Sequence, residues 1–316
     1  MCYDIIGDIH GHADRLVKLL TLMEYTESNG VWSHPDRKAI FVGDFIDRGP
    51  KQLESIEIVR RMVENGNALA VMGNHEFNAI AWCEPDPDNA GDFLRSHKNE
   101  EYKEQHESFL EEVEDGSDEE MKIIKWFYTL PLWLDLRELR IVHACWHQKF
   151  MEYLKPQLTD DWKLKKRLLK EDTNKPEIKD RITPDPSVSK ALDAILKGLE
   201  IPLPDGLCFK DEHGQCRKEV RTRWWDVRAD TYRKAAICDE KLLSQLPDDM
   251  IPNHFCLGYE SHKPLFIGHY WLPGKPAVIS EKVACLDYRL DKGESLVGYR
   301  WNGEAKLLSS NLVYQG

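Results

Sequence analysis

The sequence has no Cys-x-x-Cys pair, no apolar run approaching a membrane span and no excess of basic residues. Its eight cysteines, at 2, 83, 145, 208, 216, 238, 256 and 285, therefore offer no zinc-ribbon pattern. Five of them sit in or beside apolar stretches, so the set reads as reduced, mostly packed thiols. A membrane-spanning helix needs about 20 consecutive apolar residues, which excludes a membrane partner of that kind. Met-Cys-Tyr-Asp runs directly into an apolar strand and leaves no room for a signal peptide, so a cytoplasmic location is expected. Lys and Arg number 43 against 55 Asp and Glu, a formal charge of −12. Such a balance disfavours phosphate-backbone contact, and no stable nucleic-acid partner is expected. Internal repeats and low-complexity tracts are also missing. What remains is a chain of 316 residues, 41% hydrophobic, long enough to bury a sizeable core.

Three polar phrases stand out against this background: Gly7-Asp8-Ile9-His10-Gly11, Gly43-Asp44-Phe45-Ile46-Asp47-Arg48-Gly49 and Gly73-Asn74-His75-Glu76. Each follows a short apolar run (3–6, 39–42 and 68–72) and precedes a stretch with helical spacing. Each should therefore lie at the carboxyl end of a strand, where open α/β sheets bind ligands. Asp8 and His10, two apart in an extended segment, can aim the same way and chelate one ion. Asp44 can put one oxygen on each of two ions, and Asn74 can offer its carbonyl oxygen to the second. A mixed oxygen and nitrogen shell suits manganese, iron or zinc better than calcium, and two divalent ions, most simply Mn2+, are expected.

These phrases resemble those of the calcineurin-like metallophosphoesterases, and within them the phosphoprotein phosphatase-type branch. Its pattern is Gly-Asp-x-His-Gly, Gly-Asp-x-x-Asp-Arg-Gly and Gly-Asn-His-Glu. The resemblance implies Asp8 and His10 on the first metal, Asp44 bridging and Asn74 on the second. It also implies that His75 protonates the leaving oxygen, that Asp47 orients His75 and that Arg48 grips the phosphate. Further ligands are expected at the ends of later apolar strands. Leu139 to His143 supplies one histidine, preferred to His147, which lies off the strand. Pro264 to His269 supplies the other, while His254 and His262 follow no apolar run and read as surface residues.

Two dications about 3.5 to 4 Å apart would lower the pKa of a shared water, so that metal-bound hydroxide attacks phosphorus in line. Arg48 would offset charge on the phosphate with paired donors. His75 would contribute about a hundred- to ten-thousand-fold as general acid. The expected function is a metal-dependent phosphoric ester hydrolase acting on phosphate monoesters, with a protein Ser/Thr phosphatase as one form. Alternatives are hydrolysis of dinucleoside polyphosphates such as bis(5'-nucleosyl)-tetraphosphate, which bacterial enzymes resembling this chain perform, and action on nucleotides or nucleic-acid ends. A catalytically dead binding module is the remaining option, which the complete ligand set disfavours. Phosphorylated molecules (phosphoprotein, nucleotide or small phosphoester) are the expected partners.

The expected fold is α/β, an αββα sandwich of two mixed sheets, with residues 1–146 and 261–316 forming the catalytic domain and 147–260 an α-rich cap insertion. Residues 83–118 read as an irregular, mobile excursion plus one acidic helix, and 121–130 as a helix. Strands are expected at 132–136, 139–143, 277–280, 283–287 and 295–301. The basic stretch Lys163 to Lys170, with leucines at helical spacing, reads as an amphipathic helix with a solvated charged face. In the insertion, Arg221, Arg223 and Arg228 surround Trp224 and Trp225. Arg223 is the candidate for gripping a second phosphate and Trp225 for stacking on a base or covering the site. A tryptophan-centred core for the insertion is the equal alternative.

Overall fold

Strand alternation sorts the apolar residues into an inner and an outer layer. In β1 (Cys2–Ile6) and β4 (Arg37–Phe41), Ile5 and Ile40 face one way, and Ile6, Ala39 and Phe41 the other. The first set meets Ile141, Phe266 and Ala284 from β7 (Arg140–Val142), β12 (Leu265–Ile267) and β13 (Val283–Cys285) in one buried cluster. The second set packs with Leu16, Leu20, Val59 and Met62 of α1 (Ala13–Leu22) and α2 (Gln52–Glu64). Apolar residues on both faces of a strand mean a sheet covered on both sides, which is why these strands read as continuous hydrophobic runs. The architecture is the expected sandwich of two mixed sheets between helical layers. This computed structural model describes residues 2–173, 183–210, 216–290, 293 and 295–315. Parts of the stretch 147–260 expected to form an insertion, 174–182 and 211–215, thus lie outside the described residues.

The first sheet has the order β15-β14-β1-β4-β5, where β5 is Ala68–Ala70, β14 Val297–Trp301 and β15 Leu312–Tyr314. β1, β4 and β5 run parallel, while β14 pairs antiparallel with β1, and β15 with β14. The second sheet runs β13-β12-β7-β6, parallel except for β6 (Trp133–Asp135). α3 (Asn74–Cys83) follows β5 directly, and α4 (Glu100–Glu112) and α5 (Asp118–Phe127) precede β6.

Two local expectations need correction, and two further elements were not anticipated. Between α1 and β4 the chain forms a hairpin, β2 (Thr26–Ser28) and β3 (Val31–Ser33). Its turn residues Asn29 and Gly30 have φ of 53° and 79°, and Asn-Gly is the strong signal for such a two-residue turn. Residues 277–280 form no strand: the amides of Ile279 and Ser280 turn back onto the carbonyl of Val283. The edge strand β15 takes their place among the late strands, on the other sheet. Finally, Cys208 and Cys216 are joined in a disulfide, Cα atoms 5.7 Å apart, where two reduced thiols were expected. Antiparallel pairing of β9 (Phe209–Lys210) with β10 (Cys216–Arg217) brings them together, a contact that spacing alone did not reveal.

Among the described residues, 147–260 hold helices and two small ribbons. α6 (Gln148–Leu154), α7 (Lys166–Thr173) and α8 (Val188–Lys197) pack together, and β8 (Glu200–Pro202) pairs with β11 (Glu219–Arg221). Leu192, Ile195 and Trp224 belong to the same buried cluster as α1 and α2, so its core is continuous with that of the sandwich. In the basic stretch, Leu164, Leu168 and Leu169 are buried, while Lys166 and Lys170 pair with Glu84 (2.6 Å) and Asp88 (3.3 Å) of the excursion. Lys165, Lys166, Arg167 and Lys170 are exposed, so the charged face is solvated as expected.

Candidate metal centre

The loops after β1 and β4, the start of α3 and the residues after β7 and β12 converge at one edge of the sandwich. Backbone hydrogen bonds lock them together. The amides of Ile9 and His10 donate to the Asp44 carbonyl at 3.0 and 2.9 Å, and Gly49 N–H donates to the His10 carbonyl at 2.7 Å. Glu76, fully buried, accepts from the amides of Asp44 (2.8 Å), Phe45 (2.7 Å) and Gly73 (2.9 Å). Such lacing is needed because His10, Asp44, Asp47, Arg48 and His269 all have positive φ, between 47° and 75°. Non-glycine residues held there cost about 1–3 kcal/mol each and persist only when their surroundings over-determine them.

Asp44 lies at the middle of the cluster. Its Oδ2 is 3.3 Å from His143 Nε2, 3.8 Å from His10 Nε2 and 3.9 Å from His75 Nε2, and its Oδ1 accepts from the His75 amide at 3.0 Å. The Asn74 Oδ1 is 3.1 Å from His143 Nε2 and 2.7 Å from His269 Nδ1. Asp8 accepts from the His269 amide through Oδ2 at 2.9 Å, while its Oδ1 is buried without a hydrogen-bond partner. Far-side contacts fix two of the rings: His143 Nδ1 donates to the Val42 carbonyl (2.8 Å) and His10 Nδ1 to that of Ile46 (3.0 Å). With Nδ1 carrying the proton, each Nε2 presents a lone pair to the centre, as metal-binding histidines do.

Among the described residues, two groups place ligand atoms within 4.8 Å of one another, His10, Asp44 and His75, and Asp44, His143 and His269. Asp44 belongs to both. The donor set and the orphaned Asp8 oxygen fit divalent ions, since buried carboxylates without a compensating cation are costly. The proton affinities express the same imbalance. Burial, aided by Asp287, pushes the Asp8 carboxyl up. Burial would raise Asp44 too, but His143 and His75 hold it well below the usual carboxylate range. His143, despite burial, is pushed up to about 10 by Asp44 and Asp8. Cations binding here would displace such protons, because ligands bind deprotonated.

At the lip of the cluster, His75 Nδ1 lies 2.5 Å from Asp47 Oδ2. Burial opposes ionisation of Asp47, yet His106 and His75 hold its carboxyl below the usual range. Burial likewise opposes charge on His75, and Asp44 and Asp47 outweigh it to raise its affinity. Arg48 follows with an exposed side chain whose charge is felt by His10, His75 and Asp287. The structure therefore brings Asp8, His10, Asp44, Asp47, Arg48, Asn74, His75, His143 and His269 into one site. His147 instead caps α6, its Nδ1 accepting from the Phe150 amide at 3.4 Å.

The candidates between 221 and 228 separate. Trp225 is half-buried with its ring 4.8 Å from that of Tyr270, next to His269, and Trp224 is buried with its Nε1 donating to the Tyr270 hydroxyl at 2.8 Å. Arg223 is exposed in a surface hollow with Asp226, Arg228, Arg233 and Lys234. The arginine beside the cluster is Arg221, which donates to the His269 carbonyl at 3.4 Å. Besides Arg221, the sequence reading missed roles for Glu76, His106 and Asp287. Glu76 was visible in its motif, and Asp287 lies two residues after an apolar strand. His106 and Phe109, the buried residues of an otherwise acidic helix, share one face.

Gly268 marks how tightly the centre is built. A Cβ there would lie 2.0 Å from Asp8 Oδ1 and 2.9 Å from Val42 Cγ2. Gly268→Ala should displace Asp8 and weaken metal binding by about ten- to a hundredfold, the scale seen when ligand orientation is disturbed. Calorimetric titration with Mn2+ checks this; unchanged affinity would mean that Asp8 is not a ligand.

Residues 3–201 match the family model described as calcineurin-like phosphoesterase. Over 152 residues the chain is 35% identical to the asymmetrical bis(5'-nucleosyl)-tetraphosphatase PrpE of Bacillus subtilis strain 168, covering 46% of this chain and 57% of that one. Over 76 residues it is 49% identical to the protein of the same name from Geobacillus sp. strain WCH70, covering 24% and 31%. The chain thus spans from about a third to under three fifths of the length of these curated relatives. Among solved structures, a cold-active protein-tyrosine phosphatase of a psychrophilic Shewanella sp. aligns over 99% of this chain and 80% of its own, with 16% identity and a TM-score of 0.49.

Proposed function

This chain belongs to the calcineurin-like phosphoesterase family, and we propose that it is a metal-dependent phosphoric ester hydrolase whose substrates are phosphate monoesters, phosphoproteins among them. Divalent ions are what the family implies; their identity as Mn2+ is our proposal, as is the ligand set. Asp8 and His10 would hold one, Asn74, His143 and His269 the other, and Asp44 both. Bound there, the ions supply a water of lowered pKa and neutralise phosphate charge. Arg48, exposed at the lip, holds the phosphate oxygens with its planar fork of donors. His75 has Nδ1 committed to Asp47, so Nε2 is the atom that passes a proton to the leaving oxygen.

The single observation behind the choice of monoesters is that His75–Asp47 contact. An ionised carboxylate against Nδ1 favours the imidazolium and fixes its orientation, an arrangement most useful when the leaving group is a strongly basic alkoxide. A phosphoanhydride leaving group is a weak base and gains less from it. Dinucleoside polyphosphate hydrolysis is the second reading, favoured by the names of the relatives, bis(5'-nucleosyl)-tetraphosphatases.

The test is a panel with added Mn2+: a serine phosphopeptide, a dinucleoside tetraphosphate and an aryl phosphodiester. The phosphopeptide should show the highest kcat/KM. Preference for the tetraphosphate would establish the second reading, and no metal-dependent hydrolysis of any would overturn both.

We further propose that the 147–260 insertion selects the substrate. Trp225→Ala should raise KM for the preferred substrate several-fold, by about 1 kcal/mol or more of lost stacking, with metal content unchanged. Arg223→Ala, placed in the separate hollow, should change it little. A lower Tm for the Trp225 variant without altered selectivity would assign that tryptophan to the insertion's core.

A further inference from the structure

Asp47 has two histidine partners, and proton delivery uses only one of them. His75 Nδ1 meets Oδ2 at 2.5 Å, and His106 Nδ1 meets Oδ1 at 2.9 Å. A carboxylate only accepts, so both Nδ1 atoms carry the proton in these contacts. The torsion that turns a carboxylate about its stem is soft. One partner leaves Asp47 free to rotate, while partners on both oxygens, together with the Asp47 amide donating to Gln52 Oε1 at 2.7 Å, define the group at three points.

His106 is itself held firmly. It is 3% exposed, with its ring stacked on Phe109 at 4.7 Å and tilted against Trp82 at 5.6 Å. Trp82 stacks on His97 (3.7 Å), and His97 on Phe93 (4.1 Å). Glu112, at the far end of α4, accepts from the amides of Gln52 (2.7 Å) and Leu53 (3.1 Å) at the start of α2. The outer nitrogen of His106, Nε2, is buried without a hydrogen-bond partner. An imidazole with half its hydrogen-bonding capacity unmet is a poor filler for an apolar slot, where a leucine would pack without that cost. The Asp47 contact supplies the reason for a histidine.

We propose that His106 is a positioning residue for phosphoester hydrolysis: it clamps Asp47 so that the other carboxylate oxygen fixes His75 for proton delivery. This rests on the functional reading above. It also gives the excursion after α3 a task, since α4 and the aromatic column from Phe93 carry the clamp to the metal centre's edge.

The test uses His106→Leu, which keeps apolar volume but has no donor, and His106→Asn, whose amide nitrogen can take the place of Nδ1. With Mn2+ present, kcat is measured on phenyl phosphate and on 2,4-dinitrophenyl phosphate, whose leaving group needs no acid. His106→Leu should lose about tenfold or more on the first and less than about twofold on the second, part of the general-acid contribution. Metal content should not change. His106→Asn should recover most of the loss. In an Asp47→Asn background, His106→Leu should add less than about twofold, because the two act as a unit. Equal losses on both esters, full additivity with Asp47→Asn, or no recovery by His106→Asn would each overturn the clamp. A wild-type protein that hydrolyses neither ester would overturn the functional reading, and the clamp with it. With an active wild type, the same losses in the variants count against the clamp alone.

Discussion

Asp44→Asn is expected to strip both ions and with them the activity. Asp44 is the one side chain shared by both clusters of ligand atoms, 3.3 Å from His143 and 3.8 Å from His10. An asparagine removes the negative charge and one oxygen donor together, and the NH2 that replaces it repels a cation. The effect should exceed the about ten- to hundredfold loss typical of disturbing a ligand's support. Metal analysis after gel filtration should show the wild-type protein with two ions per chain and the variant with fewer than one. Because Glu76 binds the backbone amide of Asp44, not its side chain, the loop should keep its shape and the variant should stay folded. A variant that retains its ions and its rate would refute the bridging role.

The second large effect is selective. His75→Asn should cost about a hundred- to ten-thousand-fold on an alkyl or phenyl phosphate and little on an activated aryl phosphate. The reason is the basicity of the departing oxygen: an alkoxide cannot leave without a proton, whereas a dinitrophenolate can. A plot of log kcat against leaving-group pKa should therefore steepen in the variant. Parallel lines, with equal loss at every leaving group, would show that His75 holds the phosphate or the ions instead. That outcome has a physical basis, since His75 Nε2 is within 3.9 Å of Asp44 Oδ2 and belongs to one of the two ligand groups.

Much of the site's composition was legible in the chain because its information is local. Gly7 to Gly11, Gly43 to Gly49 and Gly73 to Glu76 each follow a short parallel strand, and a strand's carboxyl end fixes where the next few residues point. The apolar runs gave the sheets for the same reason, since a strand covered on both faces admits nothing else. His143 and His269 could be chosen because each ends such a run. Pairing across long separations was not legible. The disulfide between Cys208 and Cys216 depends on a hairpin register, and the exchange of 277–280 for 312–314 as a strand depends on which edge was free to pair. Glu76 was in view, but its three backbone contacts join loops more than thirty residues apart in sequence. Arg221 and Arg223 lie two apart, and only the packing of Trp224 and Trp225 on Tyr270 determines which of them reaches His269. His106 shows the division most clearly. In the sequence it is one histidine in an acidic helix; in the fold, α4 lies against α2 and carries it to within 2.9 Å of Asp47, 59 positions away. The sequence by itself determined the residue types of the candidate metal centre and the strands that carry them, because those follow from neighbours along the chain. Tertiary structure alone decided which buried groups share Asp47, since a hydrogen bond between distant residues forms only after the helices bearing them have packed.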